Sequence, residues 1–276
     1  MKTRLLDLCL KLGIGVTSSS NMRTLKENQQ ELFLLRNYMN FSSKYESIFF
    51  SSSLEKPTLS QFANSKAQLN QDLVVLVFLN YLRGGYFVEF GATDGERFSN
   101  THLLEKHFGW NGILAEPGKV WHKSLVSNRS CLIETRCVWK SSGEFLDFNE
   151  TEVGELSTLD MFSSEDLHSD ARRAGRKYIV ETISLQDLLI QNDAPTFIDY
   201  LSIDTEGSEF EILASLDFTM FSFGFIPCEH NYTSKRESIA GLLEDKGYVR
   251  ICKNQSLFDD WFISKSMATN LGLTSS

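Results

Sequence analysis

One stretch of the sequence, residues 86–100, restricts the fold more than any other. It reads Tyr-Phe-Val-Glu-Phe-Gly-Ala-Thr-Asp-Gly-Glu-Arg-Phe-Ser-Asn, with Gly91 after five residues of strand character and Gly95 four positions later. A short apolar run is typical of a buried parallel strand, and only Glu89 interrupts it. A carboxylate there is costly unless a cation or hydrogen-bond donors meet it, and glycines let the backbone turn sharply close to a ligand. The stretch predicts a nucleoside-binding crevice at the carboxyl end of the first strand of an open α/β sheet.

A second acidic residue follows at the spacing expected for such a crevice. After a predicted helix over residues 100–108, residues 112–117 form a short apolar strand that ends in Glu116. An acid about 20 residues beyond the glycine turn is positioned to accept hydrogen bonds from ribose hydroxyls. The dinucleotide pattern G-x-G-x-x-G is absent, because three residues separate Gly91 from Gly95, so NAD is a poor interpretation. An acidic strand, G-x-x-x-G and a ribose acid are typical of S-adenosylmethionine sites.

Composition narrows the class of protein. A chain of 276 residues with 42% hydrophobic residues can bury a full core in one large domain. The net charge of −9 argues against nucleic-acid and anionic-membrane partners, which need a basic surface. Five scattered cysteines without a CxxC pair indicate reduced thiols and a cytoplasmic location. The N-terminus is a poor signal peptide, and the longest apolar run, residues 73–82, is too short for membrane insertion.

Strands and helices alternate over residues 60–270, which predicts one α/β domain with a mostly parallel, doubly wound sheet and helices on both faces. After the first two strands, further strands are predicted over residues 131–139, 144–148, 178–183, 197–204, 221–228, 248–253 and 257–264. The last two have a short connection and must be antiparallel. Residues 157–177 read as loop or broken helix, and Ser184 is predicted to cap a helix to residue 191.

Residues 1–59 carry no strand pattern and form a predicted helical extension. An amphipathic helix is expected over residues 25–38, and the serine-rich residues 41–60 read as a linker. Three roles are open for this extension. It could join a partner subunit in a homo-oligomer, cover the active site, or pack on its own domain.

Polar residues end the predicted strands at one edge of the sheet. Asp204 ends one strand and Glu229-His230 end its neighbour, so these side chains are expected to meet. Two carboxylates and an imidazole with open positions suit Mg²⁺, Mn²⁺ or Fe²⁺. Such a metal would lower the pKa of a substrate hydroxyl. Two alternatives are a metal-free site, with His230 as general base oriented by Glu229 or Asp204, and acids that only cap the following helices.

A basic cluster lies in the predicted loop before the strand at residue 178. Its members are Arg172, Arg173, Arg176 and Lys177. They could bind the phosphates of a nucleotide-sugar substrate by charge-assisted hydrogen bonds, or form a solvated loop face.

Several motifs resemble the FkbM family of S-adenosylmethionine-dependent methyltransferases. They are F-V-E-F-G-A-T-D-G from residue 87, S-N-T from residue 99, Glu116-Pro117 and Y-L-S-I-D-T-E-G-S-E from residue 200. The resemblance covers residues 60–265, and I-D-x-E-G-x-E from residue 203 is its most specific part. It implies a seven-stranded Rossmann-like sheet and O-methylation of a hydroxyl on a sugar or small metabolite. Ser202 departs from the pattern, because many members have lysine there.

The resemblance and the strand ends together give the candidate site. The cofactor candidates are Glu89, Gly91, Ala92, Asp94, Asn100, Glu116 and Pro117; the catalytic and metal candidates are Asp204, Glu229 and His230. Metal-dependent catechol-type methyltransferases place their ligands at equivalent strand ends, which is an analogy. We expect a methyltransferase acting on a sugar hydroxyl, with a nucleotide-linked sugar for a surface polysaccharide as the substrate. The alternative is a catalytically silent methyltransferase-fold module that binds glycans or proteins.

Overall fold

The computed structural model describes residues 19–46, 54–164 and 169–273. Its strands are β1 (Tyr86–Phe90), β2 (Asn111–Ala115), β3 (Leu132–Glu134), β4 (Cys137–Trp139), β5 (Phe145–Glu150), β6 (Thr158–Leu159), β7 (Arg176–Ser184), β8 (Phe197–Ile203), β9 (Ser222–Glu229), β10 (Tyr248–Ile251) and β11 (Asp259–Ser264). Its α-helices are α1 (Ser19–Lys44), α2 (Leu59–Asn64), α3 (Gln71–Phe78), α4 (His102–Phe108), α5 (His122–Asn128), α6 (Ser169–Arg172), α7 (Leu185–Gln191), α8 (Glu209–Ala214), α9 (Arg236–Asp245) and α10 (Lys265–Asn270).

The central sheet has seven strands in the order β10-β11-β9-β8-β1-β2-β3. Strand β11 runs antiparallel to both of its neighbours, and β9, β8, β1, β2 and β3 pair in parallel. The sheet is therefore mixed but mostly parallel. This confirms the predicted α/β class and the antiparallel final pair.

Helices cover both faces of this sheet. Side chains of successive strand residues point to opposite faces, so Phe87 packs in the core with α3 and α4. Its neighbour Val88 packs in a second core with α7, α8 and α9. The residues that follow the carboxyl ends of these strands are the ones expected to meet a ligand.

A second sheet was missed by the sequence analysis. It has four strands in the order β4-β7-β5-β6 and belongs to residues 137–184, which we call the insertion. The predicted strand over residues 131–139 is split: β3 joins the central sheet and β4 joins the insertion. The break lies at Arg136, whose guanidinium binds the carboxylate of Glu134 at 2.7 Å and turns the chain. The predicted loop over residues 157–177 contains β6 and α6.

The extension is more helical than predicted, because α1 continues to Lys44. Residues 47–53 of the predicted linker, and residues 1–18, lie outside the described residues. Tyr45 is buried, its ring stacks on Trp261 at 5.9 Å, and its hydroxyl donates to the carbonyl of Leu69 at 3.2 Å. This end of the extension therefore packs on its own domain. Within the described residues, no helix combines the length and apolar character needed to cross a membrane.

The Ser184 cap is confirmed, since its hydroxyl accepts a hydrogen bond from the Asp187 amide at 3.0 Å. The cap starts α7 directly after β7. This joins the insertion to the central sheet without a loop.

Candidate active site

A cavity of about 330 Å³ opens at the carboxyl ends of β1, β2, β8 and β9, a volume typical of small-molecule sites. Seven of the ten predicted site residues line it: Glu89, Gly91, Asn100, Glu116, Pro117, Asp204 and Glu229. The insertion supplies an opposite wall through Phe148, residues 154–157 and Leu159. The cavity thus lies between the central sheet and the insertion.

Glu89 is held in place by donors from the segment after β1. Its carboxylate accepts hydrogen bonds from the Asn100 amide at 2.7 Å and the Ser99 hydroxyl at 3.1 Å, and another from the Thr101 hydroxyl. Burial raises the pKa of Glu89, while the guanidinium of Arg129, 3.8 Å away, opposes the rise. Glu89 therefore fixes the turn that places Asn100 beside the cavity.

Arg129 is a residue that the sequence analysis missed. Its fully buried guanidinium donates to Glu105 at 2.6 Å, to the carbonyl of Gly95 at 3.1 Å and to the Ser99 hydroxyl at 3.0 Å. The signal for such a residue was present, because a carboxylate inside a buried strand requires a cation or donors nearby. Arg129 meets that requirement from the end of α5.

Gly91 marks the closest approach of β1 and β8. Its φ is +72°, and a Cβ there would lie 2.0 Å from the carbonyl oxygen of Asp204. Only glycine fits this backbone. Ala92 and Asp94 are not among the residues that line the cavity. The Asp94 carboxylate instead accepts from the amides of Glu96 and Arg97 at 2.9 and 2.8 Å and closes the turn.

Glu116 ends β2 and is 5% exposed. Its two oxygens accept hydrogen bonds from the amides of Thr93 at 2.8 Å and Gly118 at 2.7 Å. Burial raises the pKa of Glu116 to about 7, and the nearby acid Asp204 contributes to the rise. A carboxylate has about four acceptor positions, so Glu116 can still accept hydroxyl donors from a ligand.

Three acids meet at the ends of β8 and β9: Asp204, Glu206 and Glu229. One carboxylate oxygen from each lies within 4.8 Å of the others. Burial raises the pKa of Asp204 to about 7, although a hydrogen bond with Glu229 acts to lower it. Burial and the adjacent Asp204 raise the pKa of Glu229 well above its usual range. Asp204 and Glu229 therefore share a proton near neutral pH.

The structure corrects the predicted place of His230. Its Nδ1 accepts a hydrogen bond from the Tyr232 amide at 2.9 Å, and its Nε2 lies 4.0 Å from the carboxylate of Asp260. Side chains alternate along a strand, so the orientation of Glu229 toward the cavity places the next side chain on the other side. His230 does not join Asp204 and Glu229, and Glu206 takes the third position.

The basic loop residue Arg172 is also placed differently from the prediction. Its buried guanidinium binds the carboxylate of Glu206 at 2.8 Å and the carbonyl of Leu156 at 2.7 Å. The exposed Arg173 pairs with Asp170, and Lys177 pairs with Asp160. None of the four basic residues is among those that line the cavity. Through its ion pair with Glu206, Arg172 instead links the insertion to the loop after β8.

The remaining acid of the I-D-x-E-G-x-E motif shapes the loop after β8. One carboxylate oxygen of Glu209 accepts from the amides of Thr205 at 3.1 Å and Gly207 at 2.9 Å. This loop carries Glu206 with a φ of +59°. The motif therefore supplies two acids that line the cavity, Asp204 and Glu206. Its third acid, Glu209, holds the loop that carries them.

The comparisons with known proteins identify the family of the chain. The sequence profile described as "Methyltransferase FkbM domain" matches residues 89–250, which is more than half of the chain. No curated protein matches the chain. Among solved structures, precorrin-6y C5,15-methyltransferase from Geobacter metallireducens GS-15 is similar with 13% sequence identity and a TM-score of 0.34, over 72% of this chain and 78% of that chain. The matched residues include Glu89, Glu116, Asp204 and Glu229, and the chain belongs to the FkbM family of methyltransferases.

Proposed function

We propose that this methyltransferase transfers the methyl group of S-adenosylmethionine to a hydroxyl of a sugar. The observation that carries the proposal is the single cavity shared by Glu116 and the pair Asp204–Glu229. The cavity supports the proposal because Glu116 could bind the ribose of the cofactor while Asp204 or Glu229 accepts a proton from the acceptor. The resemblance to O-methyltransferases of the family supports the choice of a hydroxyl.

The cofactor side of the cavity is formed by β1 and β2. Glu116 would accept hydrogen bonds from the ribose hydroxyls, and Gly91 lets the ligand approach the backbone. Asn100 offers a buried Oδ1 that has no hydrogen-bond partner among the described residues. When bound, S-adenosylmethionine supplies an electrophilic methyl group.

The acceptor side contains Asp204 and Glu229. Because the two share a proton, one carboxylate oxygen remains free to accept another. Asp204 would accept the proton that the acceptor hydroxyl loses when its oxygen is methylated. Burial raises the pKa of Asp204 to about 7, a value suited to a general base at neutral pH.

A divalent cation is a second way to use the same acids. Asp204, Glu206 and Glu229 form an all-oxygen set within 4.8 Å, which suits Mg²⁺ or Mn²⁺. With His230 outside the set, Fe²⁺ fits less well, since imidazole ligands favour it. These carboxylates would hold the cation and through it lower the pKa of the acceptor hydroxyl.

The proposal includes a cytoplasmic location. Cys131, Cys137, Cys228 and Cys252 are all free thiols. Thiols persist in reducing compartments, which supports this choice.

Calorimetric titration of EDTA-treated protein with S-adenosylhomocysteine tests the proposal. Micromolar binding and methyl transfer to sugars without added metal would support Asp204 as the base. Transfer that returns only with Mg²⁺ or Mn²⁺ would support the cation. Failure to bind S-adenosylhomocysteine would overturn the enzyme and favour a glycan- or protein-binding module.

A further inference from the structure

The cavity has an unusual balance of charge. The carboxylates that line it are Glu89, Glu116, Glu155, Asp204, Glu206 and Glu229. Among the described residues, no lysine, arginine or histidine lines it. Every ionisable group of these types on the wall is therefore an acid. Burial raises the pKa of Glu89, Glu116, Asp204 and Glu229, so the negative charge of the wall increases with pH.

The cations nearest to these acids are already engaged in ion pairs. Arg129 lies behind Glu89 and binds Glu105 at 2.6 Å. Arg172 binds Glu206 at 2.8 Å from the insertion. At the rim, Arg97 lies 3.1 Å from Glu155. An anion that entered the cavity would have to compete with these carboxylates for each guanidinium.

The neutral polar groups show the same bias toward hydrogen-bond acceptors. The side-chain nitrogen of Asn100 donates to the Ser202 hydroxyl at 2.9 Å. Its buried Oδ1 has no hydrogen-bond partner among the described residues, and Asn100 is 9% exposed. The hydroxyl of Thr205 donates to Glu209 at 2.9 Å. At Asn100 and Thr205, the ligand therefore has to supply the donor.

We propose that the acceptor carries hydroxyls and no phosphate or carboxylate, with amino sugars preferred to neutral sugars and neutral sugars preferred to nucleotide-linked ones. This rests on the proposed function. Like charges in a water-excluded site repel strongly, whereas a protonated amine is attracted to carboxylates and donates to them. The basic cluster at residues 172–177, which favoured a nucleotide-linked substrate, does not line the cavity. No described lining residue therefore neutralises the negative charge of a diphosphate.

Methyl transfer to three matched pools of sugars tests the proposed order of preference among acceptors. The full chain is given labelled S-adenosylmethionine and either nucleoside-diphosphate sugars, the corresponding methyl glycosides, or their amino-sugar glycosides, in EDTA and in Mg²⁺. We expect kcat/KM to fall by about tenfold or more from amino to diphosphate acceptors, and the gap to narrow as salt is added. Preference for the diphosphates in either arm would overturn the inference, as would transfer to no pool by a protein that binds S-adenosylhomocysteine.

A charge reversal at the rim gives an independent readout. Glu155→Lys leaves Glu116, Asp204 and Glu229 in place, and we expect it to reduce the preference for amino over diphosphate acceptors by about tenfold. Glu181→Lys is the matched control, because Glu181 is exposed on β7 and does not line the cavity. An unchanged preference in Glu155→Lys would count against the charge argument. If the parent protein did not bind S-adenosylhomocysteine, that result would instead count against the proposed function.

Discussion

Glu116 is the residue on which cofactor binding should depend most directly. Replacing Glu116 with Gln removes a charged acceptor while leaving its volume nearly unchanged. Hydrogen bonds to charged groups contribute about 1.5–3 kcal/mol, so we expect S-adenosylhomocysteine affinity to fall by about tenfold or more. Isothermal titration measures the change, with Glu181→Gln as the control. Equal affinities for the two variants would mean that the ribose does not bind at Glu116.

Asp204 gives a prediction about stability and pH. Its folded pKa is about 7, well above the ordinary value of 3.8. Between these values the folded state binds more protons than the unfolded state, so stability falls as pH rises from about 4 to 7. Asp204→Asn removes this loss. We expect the free energy of unfolding of the variant to exceed that of the parent by on the order of 4 kcal/mol at pH 8 and to match it near pH 4.

Urea unfolding at both pH values measures the difference, and labelled methyl transfer measures the cost in activity. If the buried acid lowers stability but is needed for activity, the Asp204→Asn variant will be more stable than the parent and inactive. If the variant were less stable than the parent at pH 8, Asp204 would be an ionised structural partner and not a proton acceptor.

Single residues also show what a sequence can predict about this site. Glu89 and Glu116 were found because a carboxylate inside or at the end of a buried strand requires a partner. The partner Arg129 lies 40 positions after Glu89, and no local pattern connects the two. His230 was misplaced because sequence adjacency to Glu229 was taken as spatial proximity, although neighbouring strand residues face opposite ways.

At the level of elements, the central sheet was predictable and the insertion was not. Long apolar strands such as β8 and β9 carry their own signal, and the helices between them indicate that they run parallel. Strands β4 and β6 have only three and two residues. Strands this short are not long enough to show a periodic pattern, and β4 pairs with the distant strand β7.

The contact between the insertion and the central sheet depends on the buried pair Arg172–Glu206. Truncating Arg172 to Ala leaves the buried carboxylate of Glu206 without its guanidinium, which typically costs about 3–5 kcal/mol. Arg173→Ala is a close control, because Arg173 is 81% exposed and surface changes usually stay within about 0.5 kcal/mol. Thermal unfolding of the two variants compares them. Equal melting temperatures would show that Arg172 does not hold the insertion.

For the molecule as a whole, the two cores share one sheet, and α1 reaches one of them. Phe41 and Tyr45 are buried with residues of α3 and with Trp261 of β11. The predicted boundary at residues 59–60 would separate these aromatic residues from the core that they fill. That boundary stays a prediction, and the packing of Tyr45 provides its test.

We expect Tyr45→Ala to lower the free energy of unfolding by about 3–5 kcal/mol, as for other buried aromatic truncations. Tyr45 is 1% exposed, whereas Met39 on the same helix is 70% exposed and supplies the control Met39→Ala. Urea unfolding measures both, and S-adenosylhomocysteine titration checks that the cavity remains intact. A large loss for Tyr45→Ala alone would make the end of α1 part of the catalytic domain's core. Equal stabilities would instead place the boundary after α1 and leave the helix available for a partner subunit.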